Sequence, residues 1–235
     1  NGLELLVLTE RPRFRQHPFL FLRAFLHHLK DKKVDCLHAH AMAPFSSAGI
    51  MAAQSLAIPS VLKLAGIGDQ KAFWASNDLN FKMARRGPKV ANQTVALCEA
   101  MDEVARSFGA PQERIVRIPN GVDTRRFRDT ANDQGQALRA SLGIAPSDKV
   151  LLFVGRLSAE KGLQTLANAV LPLLKSEDHL RLCLVGDGPM RDELMSEVKT
   201  QGLESRVVFA GFQEDTQGYY AMADLFVLPS YEEGM

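Results

Sequence analysis

The stretch VLLFVGRLSAEKG, Val150 to Gly162, places the strongest constraint on the fold of this chain. A short continuous apolar run that ends at a glycine is typical of a parallel strand buried on both faces, and open α/β sheets bind ligands beyond the carboxyl ends of such strands. Arg156 and Lys161 follow Gly155 and precede a predicted helix. A guanidinium, an ammonium and the free N–H groups of a helix start can together bind a phosphate. Two solvated cations on a surface loop are the competing interpretation.

The segments that follow alternate between helix and strand. A crossover helix from Leu163 to Leu174 precedes a strand from Leu180 to Val185, and this βαβαβ pattern predicts a parallel sheet. The strand ends in Gly186-Asp187-Gly188-Pro189, where Gly186 and Gly188 let a ligand approach the backbone, although this motif lacks the full dinucleotide fingerprint. The apolar face predicted for the crossover helix consists of Leu163, Leu166, Ala167, Val170, Leu173 and Leu174.

The first half of the chain predicts a second set of alternating elements. A polar, linker-like region from Thr124 to Lys149, with a short helix near Leu138 to Leu142, separates the two halves. The predicted boundary lies near Asp123, which gives domains of residues 1–123 and 124–235. The predicted elements of the first half are strands at Leu3–Thr9, Val34–His40, Ser60–Leu64, Thr94–Cys98 and Ile115–Ile118, and helices at Phe19–Lys30, Phe45–Leu56 and Asn77–Arg86.

Two histidines lie near the end of the strand Val34 to His40. Alternation along a strand puts His38 and His40 on the same face, and a side chain near the carboxyl end can reach a ligand. A structural role for the pair has equal weight. A metal site is disfavoured because no carboxylate or further histidine nearby completes a ligand set.

Composition excludes several classes of protein. Hydrophobic residues make up 46% and charged residues 23% of the 235 residues, and the formal net charge of +1 argues against a dedicated nucleic-acid binder. No apolar run approaches the roughly 20 residues that cross a bilayer. Cys36, Cys98 and Cys183 lack CxxC spacing and are interpreted as buried, reduced thiols, which favours a cytoplasmic protein.

Two segments near the start leave membrane contact open as an alternative. The basic loop from Arg11 to His17 is read as solvated, although it could touch an anionic acceptor or a membrane surface. The helix from Phe19 to Lys30 places Phe19, Leu22, Phe25, Leu26 and Leu29 at helical spacing. Core packing is the preferred interpretation of that face.

The order and spacing of several segments resemble the retaining GT-B glycosyltransferases of family 4. The resemblance runs from about Val34 to Met235 and is strongest from Ile118 onward. It implies two Rossmann-like domains with parallel sheets that face a cleft, incomplete at both termini. The segments that carry it are IPNGVDTRRF, the stretch around Arg156 and Lys161, LCLVGDGP, RVVFAGF, YYAMADLFVLPS and YEEGM.

The resemblance also implies roles for individual residues. Glu233, placed before Gly234, matches the first of two family glutamates and would meet hydroxyls of the donor sugar, while the second glutamate would fall beyond Met235. His40 would lie near the transferred sugar, with His38 as the fallback. Gly155, Gly186, Gly188 and Gly234 would line the donor site with Arg156 and Lys161. The loop Ala65 to Asp69 is placed at the same edge of the first domain.

The expected function is transfer of a hexose-like sugar from a nucleotide-diphosphate sugar to a glycan, lipid or small-molecule acceptor, with retention and without a metal or other cofactor. The expected partners are a nucleotide sugar and a glycan or lipid-linked acceptor, with no nucleic acid. The protein is expected in the cytoplasm, free or at the inner face of the membrane, and in polysaccharide biosynthesis. A GT-B nucleotide-sugar epimerase and a non-catalytic nucleotide-sugar-binding module are the alternatives. The 235-residue chain as written is expected to be inactive.

Overall fold

The computed structural model describes residues 18–64, 78–128, 132–231 and 233. The predicted strand Leu3–Thr9 and the loops Arg11–His17 and Ala65–Asp69 lie outside these residues. The chain divides after Gly121 into two compact units, the second of which runs from Val122 to Glu232. Glu233 is grouped with the first unit.

The first unit contains a parallel sheet with helices packed on it. Its described strands pair in the order β1-β2-β3-β4, and every pairing is parallel. The elements are α1 (Pro18–Asp31), β1 (Leu37–His40), α2 (Pro44–Ser55), β2 (Ser60–Lys63), α3 (Leu79–Ala84), α4 (Arg86–Val90), β3 (Gln93–Ala96), α5 (Glu99–Ser107), a 3₁₀ turn (Gln112–Arg114) and β4 (Ile115–Arg117).

Helix α2 is the centre of the first unit because small residues let its neighbours approach closely. Ala48, Ala52 and Ala53 are fully buried and pack against side chains of α1, while Ile50 packs with β2 residues. The Ser47 hydroxyl is also buried and donates to the Ala84 carbonyl at 2.8 Å. That hydrogen bond satisfies a polar group that burial would otherwise penalise.

The second unit contains another parallel sheet. Its described strands pair in the order β7-β6-β5-β8, all parallel. The elements are α6 (Thr124–Arg128), α7 (Asn132–Ser141), β5 (Lys149–Val154), a 3₁₀ turn (Ala159–Lys161), α8 (Leu163–Ser176), β6 (Leu180–Val185), α9 (Arg191–Thr200), β7 (Val207–Gly211), α10 (Gln217–Met222) and β8 (Leu225–Phe226).

Strand β5 is buried on both faces, which explains its continuous apolar run. Phe153 packs with residues of α8 and α9, whereas Val150 and Leu152 belong to a separate cluster that contains Tyr219 and Met222 of α10. Alternate side chains therefore meet helices on opposite sides of the sheet. The expected strand-helix alternation of this half is confirmed.

Three predictions about burial are wrong. Leu173 is 48% exposed, because it lies just past the edge of the buried arc of α8, while Leu171, which was left out of the predicted face, is buried. Phe19 is 60% exposed in the first turn of α1, and Phe21 is buried instead. Cys36 is exposed because β1 begins one residue after it, at Leu37 and not at Val34.

Several element boundaries also differ from the prediction. The helix predicted over Asn77–Arg86 is observed as α3, Leu79–Ala84, and a second short helix, α4, begins at Arg86 and contains Pro88. The linker-like region holds α6 as well as α7.

Asp224 joins the start of β5 to α7 and to the chain before β8. Its carboxylate accepts hydrogen bonds from Arg139 Nη2 at 2.7 Å, Lys149 Nζ at 2.9 Å and the Val150 amide at 2.9 Å. Partial burial alone would raise the pKa of Asp224, but the bonds from Val150, Lys149 and Arg139 outweigh it and lower that pKa to about 2. Folding therefore favours the charged carboxylate.

We expect Asp224→Asn to lower the free energy of unfolding by about 1 kcal/mol at pH 7, after discounting the pKa shift for solvent screening. The folded pKa lies below the unfolded value, so the difference between wild type and variant persists down to about pH 4 and disappears as the pH falls towards about 2. Urea denaturation at several pH values measures it. Glu204→Gln, which removes an exposed acid, is the control, and a pH-independent difference for Asp224→Asn would contradict the prediction.

Candidate functional site

The loops that follow β5, β6 and β7 meet at one edge of the second sheet. Parallel pairing brings Val154 opposite Val185, so the glycines that follow both strands are neighbours. The Gly155 amide donates to the Val185 carbonyl at 2.9 Å, and the Gly186 amide donates to the Gly211 carbonyl at 2.8 Å. The three strand ends are thus joined by backbone hydrogen bonds beyond the strands themselves.

Two glycines are required where these loops touch. Gly186 has φ +132°, and a Cβ there would collide with the Gly155 carbonyl oxygen. A Cβ at Gly188 would collide with the Leu157 carbonyl, while the Leu157 amide donates to the Asp187 carbonyl at 2.9 Å. The loops pack backbone against backbone, which is the arrangement that leaves main-chain groups open to a ligand.

The predicted cations lie at the two ends of a short turn after β5. Arg156 is exposed, and its guanidinium makes no side-chain hydrogen bond within the described residues. Lys161 ends the 3₁₀ turn Ala159–Lys161 and is half-buried. Gly162 then takes φ +67° and caps α8, so the chain passes from the cations directly into a helix N-terminus. Such an end presents free N–H groups and positive partial charge.

Ser158 and Glu160 shape this turn, and sequence reasoning missed both. The Ser158 hydroxyl is buried and donates to Glu160 Oε1 at 2.6 Å. That bond is the main cause that lowers the pKa of Glu160, and Arg156 and Lys161 lower it further. The turn therefore holds two cations around one carboxylate that stays charged.

The segment after β8 packs onto the same turn. The Tyr231 amide donates to the Glu160 carbonyl at 3.0 Å, and the Tyr231 hydroxyl lies 2.6 Å from Thr165 Oγ1 of α8. A Cβ at Gly162 would collide with the Pro229 carbonyl oxygen. In the sequence, the one sign of this contact is Gly162 itself, because a left-handed backbone conformation before a helix favours glycine.

A cavity of about 390 Å³ opens beside Arg156. Its lining combines the glycine loops with side chains that follow β7. The lining residues are Val154, Gly155, Arg156, Val185, Gly186, Asp187, Phe212, Gln213 and Thr216.

The histidine pair lies in the first unit. The rings of His38 and His40 are 4.4 Å apart between centroids, on the same face of β1 as predicted. Burial, followed by the charges of His40 and Lys63, lowers the pKa of His38. His40 lies at the carboxyl end of β1, where its carbonyl accepts the Ser46 hydroxyl at 2.9 Å. Lys63, at the end of the next strand, donates to Asn120 Oδ1 at 2.7 Å.

The predicted site residues thus fall into separate groups. Gly155, Arg156, Lys161, Gly186 and Gly188 lie along one sheet edge of the second unit, and His40 ends a strand of the first. Glu233 is exposed and lies outside the second unit, and Gly234 lies outside the described residues. Within the described ranges, no three His, Cys, Asp or Glu side chains form a group that could hold a metal ion. The roles of all these residues stay predictions.

Comparison with solved structures identifies the fold. HepE from Anabaena, solved in complex with UDP-glucose, superposes with a TM-score of 0.76 at 24% identity, covering 96% of this chain and 60% of that chain. Two α/β units, each with an all-parallel sheet, make this a GT-B fold, as the resemblance implied.

Sequence comparison then identifies the family. The profile described as "Glycosyltransferase Family 4" matches residues 5–126, and that described as "Glycosyl transferases group 1" matches residues 148–235. The chain belongs to glycosyltransferase family 4.

Two curated relatives show how far the likeness extends. The chain is 29% identical over 208 residues to a putative teichuronic acid biosynthesis glycosyltransferase of Bacillus subtilis, covering 88% of this chain and 50% of the relative. It is 32% identical over 120 residues to an alpha-monoglucosyldiacylglycerol synthase of Streptococcus pneumoniae, covering 49% and 27%. The chain spans half or less of the length of these relatives.

Among the helices in the described parts of the chain, none has the length and apolar character needed to cross a bilayer.

We expect Gly186→Ala to cost about 3 kcal/mol of unfolding free energy, because a methyl group adds a backbone collision to an unfavourable φ. Gly202→Ala is the matched control, since Gly202 also has positive φ but open space around it, and it should cost about 1 kcal/mol. Chemical denaturation measures both. Equal losses would mean that the close approach to Gly155 is not a constraint.

Proposed function

We propose that the protein is a glycosyltransferase that moves a sugar from a nucleotide-diphosphate sugar to an acceptor with retention of anomeric configuration. The observation that carries the proposal is the pairing of Arg156 and Lys161 across one turn at the edge of the second sheet, beside glycine loops that expose backbone. Family membership supports the reaction class, and the two cations support this edge as the proposed place for a donor diphosphate.

The chemistry assigned to these two cations is charge stabilisation. When the sugar leaves the donor, negative charge grows on the diphosphate oxygen, and groups fixed in advance near that oxygen stabilise the transition state more than the ground state. Arg156 offers a planar pair of donors, and Lys161 a compact charge next to the N-terminus of α8. The Ser158–Glu160 bond and the Tyr231 contact hold the intervening turn in place.

The proposal assigns this role to side chains and not to a metal ion. The sequence offers no Asp-x-Asp of the kind that holds a divalent ion beside a nucleotide sugar. Activity that survives an excess of EDTA would support this assignment, and activity restored only by a divalent ion would overturn it.

The acceptor is proposed as a class. The two relatives are named for different activities: one for teichuronic acid biosynthesis and one for the synthesis of a glucosyl diacylglycerol. A glycan or lipid-linked acceptor in polysaccharide or envelope synthesis is therefore proposed, with the protein in the cytoplasm or at the inner membrane face. HepE was solved with UDP-glucose, so UDP-sugars are the first donors to test, followed by GDP- and ADP-sugars.

His40 and Glu233 complete the proposal on the strength of the family resemblance. His40 is assigned a place near the transferred sugar, which its position at a strand end permits. Glu233 is assigned to the donor sugar hydroxyls. The nearby His38, whose pKa is lowered, shares the face of His40 and serves as its natural comparison.

We expect Arg156→Ala and Lys161→Ala each to lower kcat/KM by roughly 100- to 1000-fold, the scale of losing one preorganised donor to a developing oxyanion. Steady-state transfer from the preferred donor by the full-length protein measures the loss, because the 235-residue chain by itself is expected to be inactive. Lys175→Ala, which removes an exposed cation at the far end of α8, should leave kcat/KM unchanged. Near-normal turnover in both site variants would contradict the proposal that the diphosphate binds at this edge.

We expect His40→Ala to lower kcat with little change in nucleotide affinity or thermal stability, because the ring is exposed and its removal creates no cavity. His38→Ala is the paired control and should retain most of kcat. Kinetics, nucleotide titration and thermal melting are measured on both variants of the full-length protein. A large drop in stability with unchanged kcat would identify His40 as a packing residue.

A further inference from the structure

Three polar side chains of the first unit meet at the carboxyl ends of β1 and β2. Parallel pairing sets His40 directly opposite Lys63, so both side chains lie on the same face of the sheet. Lys63 Nζ donates to Asn120 Oδ1 at 2.7 Å, which brings in the segment after β4. We call His40, Lys63 and Asn120 the strand-end cluster.

The backbone beneath the strand-end cluster is strained and held in place. Ala41, which follows His40, takes φ +65°, a left-handed conformation that a residue with a Cβ rarely adopts. The Ala41 amide donates to the Lys63 carbonyl at 2.9 Å, and the buried Ser46 hydroxyl of α2 donates to the His40 carbonyl at 2.9 Å. Strain of this kind persists where surrounding contacts impose it, and such positions are concentrated at functional sites.

The cluster offers several hydrogen-bond donors and has no acid paired with it. Because Asn120 accepts from Lys63 through Oδ1, its Nδ2 is left to donate, and the Lys63 ammonium keeps two further N–H groups. The His40 ring adds at least one N–H in either tautomer. Among the residues that the structure describes, no carboxylate forms an ion pair with Lys63 or His40. The cluster therefore suits an anion.

The N-terminus of α2 adds positive potential beside His40. The N-cap residue of α2, Ala43, has no side chain that could accept from the free N–H groups of the first turn. Ser46 of that turn instead bonds to His40, which places the turn next to the cluster. A tetrahedral anion accepts hydrogen bonds from several separate donors, whereas a planar carboxylate pairs best with the fork of an arginine.

We propose that the strand-end cluster binds a phosphate group of the acceptor. The inference rests on the glycosyltransferase function proposed above, and it narrows the acceptor to a phosphorylated glycan or a lipid phosphate. Lys63 supplies the charge, while Asn120 and His40 supply directional hydrogen bonds. The cluster belongs to the first unit, whereas Arg156 and Lys161, the cations proposed for the donor diphosphate, belong to the second.

His38 is positioned to respond to such an anion without binding it. It lies two residues before the strand end, and its ring centroid is 4.4 Å from that of His40. Within the described residues, the charges that lower its pKa, after burial, are those of His40 and Lys63. A bound anion offsets those charges and favours the protonated ring, so the pKa of His38 should rise when the cluster is occupied.

The test is histidine NMR on the full-length protein, with the His38 signal assigned by means of His38→Gln. Inorganic phosphate, added at constant ionic strength, should raise the pKa of His38 saturably, whereas acetate and methyl glucoside should not. Lys63→Met should weaken phosphate binding by roughly tenfold to a hundredfold, the scale of losing one charged hydrogen bond, and Lys63→Arg should retain most of it. Lys82→Met, which removes an exposed cation on α3, is the matched control and should leave phosphate binding unchanged.

Two phosphate esters distinguish the sources of the phosphate. Glucose 1-phosphate represents a phosphorylated glycan, and dihexanoyl phosphatidate represents a lipid phosphate. The ester that raises the pKa of His38 at the lower concentration identifies the class of acceptor. If neither ester changes the His38 signal, the cluster does not bind an acceptor phosphate and the inference is wrong.

Titration of UDP separates this inference from the proposed function. Lys63→Met should leave UDP affinity unchanged, while Arg156→Ala should weaken UDP and leave the response of His38 to phosphate intact. If phosphate does not raise the pKa of His38, or if Lys82→Met reduces the response as much as Lys63→Met does, the inference is wrong and the proposed function stands. If Arg156→Ala abolishes the response, the phosphate belongs to the donor, and the inference is again wrong. If the full-length protein binds none of UDP, GDP and ADP, the proposed function fails and the inference fails with it.

Discussion

The close approach of two backbone segments, at Gly155 and Gly186, is the constraint on which the second unit depends. Parallel strands carry their loops to one edge, but side chains there would normally hold the loops apart. Because Gly186 and Gly188 have no Cβ, the loop after β6 lies directly against the loop after β5. This contact sets the position of Arg156, opens the backbone towards the cavity and aligns the start of the turn that leads to Lys161.

A second set of contacts holds the turn between Arg156 and Lys161 in place. Gly162 lets the Pro229 carbonyl approach, and Tyr231 bonds to both the turn and α8. The buried Ser158 hydroxyl donates to the Glu160 carboxylate, whose charged form Arg156 and Lys161 also favour. A turn whose backbone is held in place keeps the attachment points of the two cations constant, which supports the diphosphate role proposed for them. Of the two cations, Arg156 is exposed and Lys161 is half-buried, while the Ser158 side chain of the same turn is buried.

Part of the fold followed from patterns that need no tertiary information. Strand β6 and helix α8 were placed to within two residues, because a buried parallel strand and a sheet-packing helix each carry a strong hydrophobic period. The errors concern burial, which depends on the elements that pack against a residue, and the sequence does not show those elements. Leu173 and Phe19 are apolar but face solvent, and Cys36 lies one residue before β1 begins.

The sequence by itself determined the alternating elements, the glycines at strand ends, the spacing of Arg156 and Lys161 and the shared face of His38 and His40, because each depends only on local periodicity or local backbone freedom. Only the tertiary structure shows that Tyr231 hydrogen-bonds to the turn, that Asp224 accepts hydrogen bonds from three donors and that Phe212 is exposed at a cavity. Each of these joins residues that are far apart in the chain or depends on a register shift between strands. Such contacts produce no periodic pattern in the sequence. They depend on which strands pair and in which register, and not on the order of residues within one element.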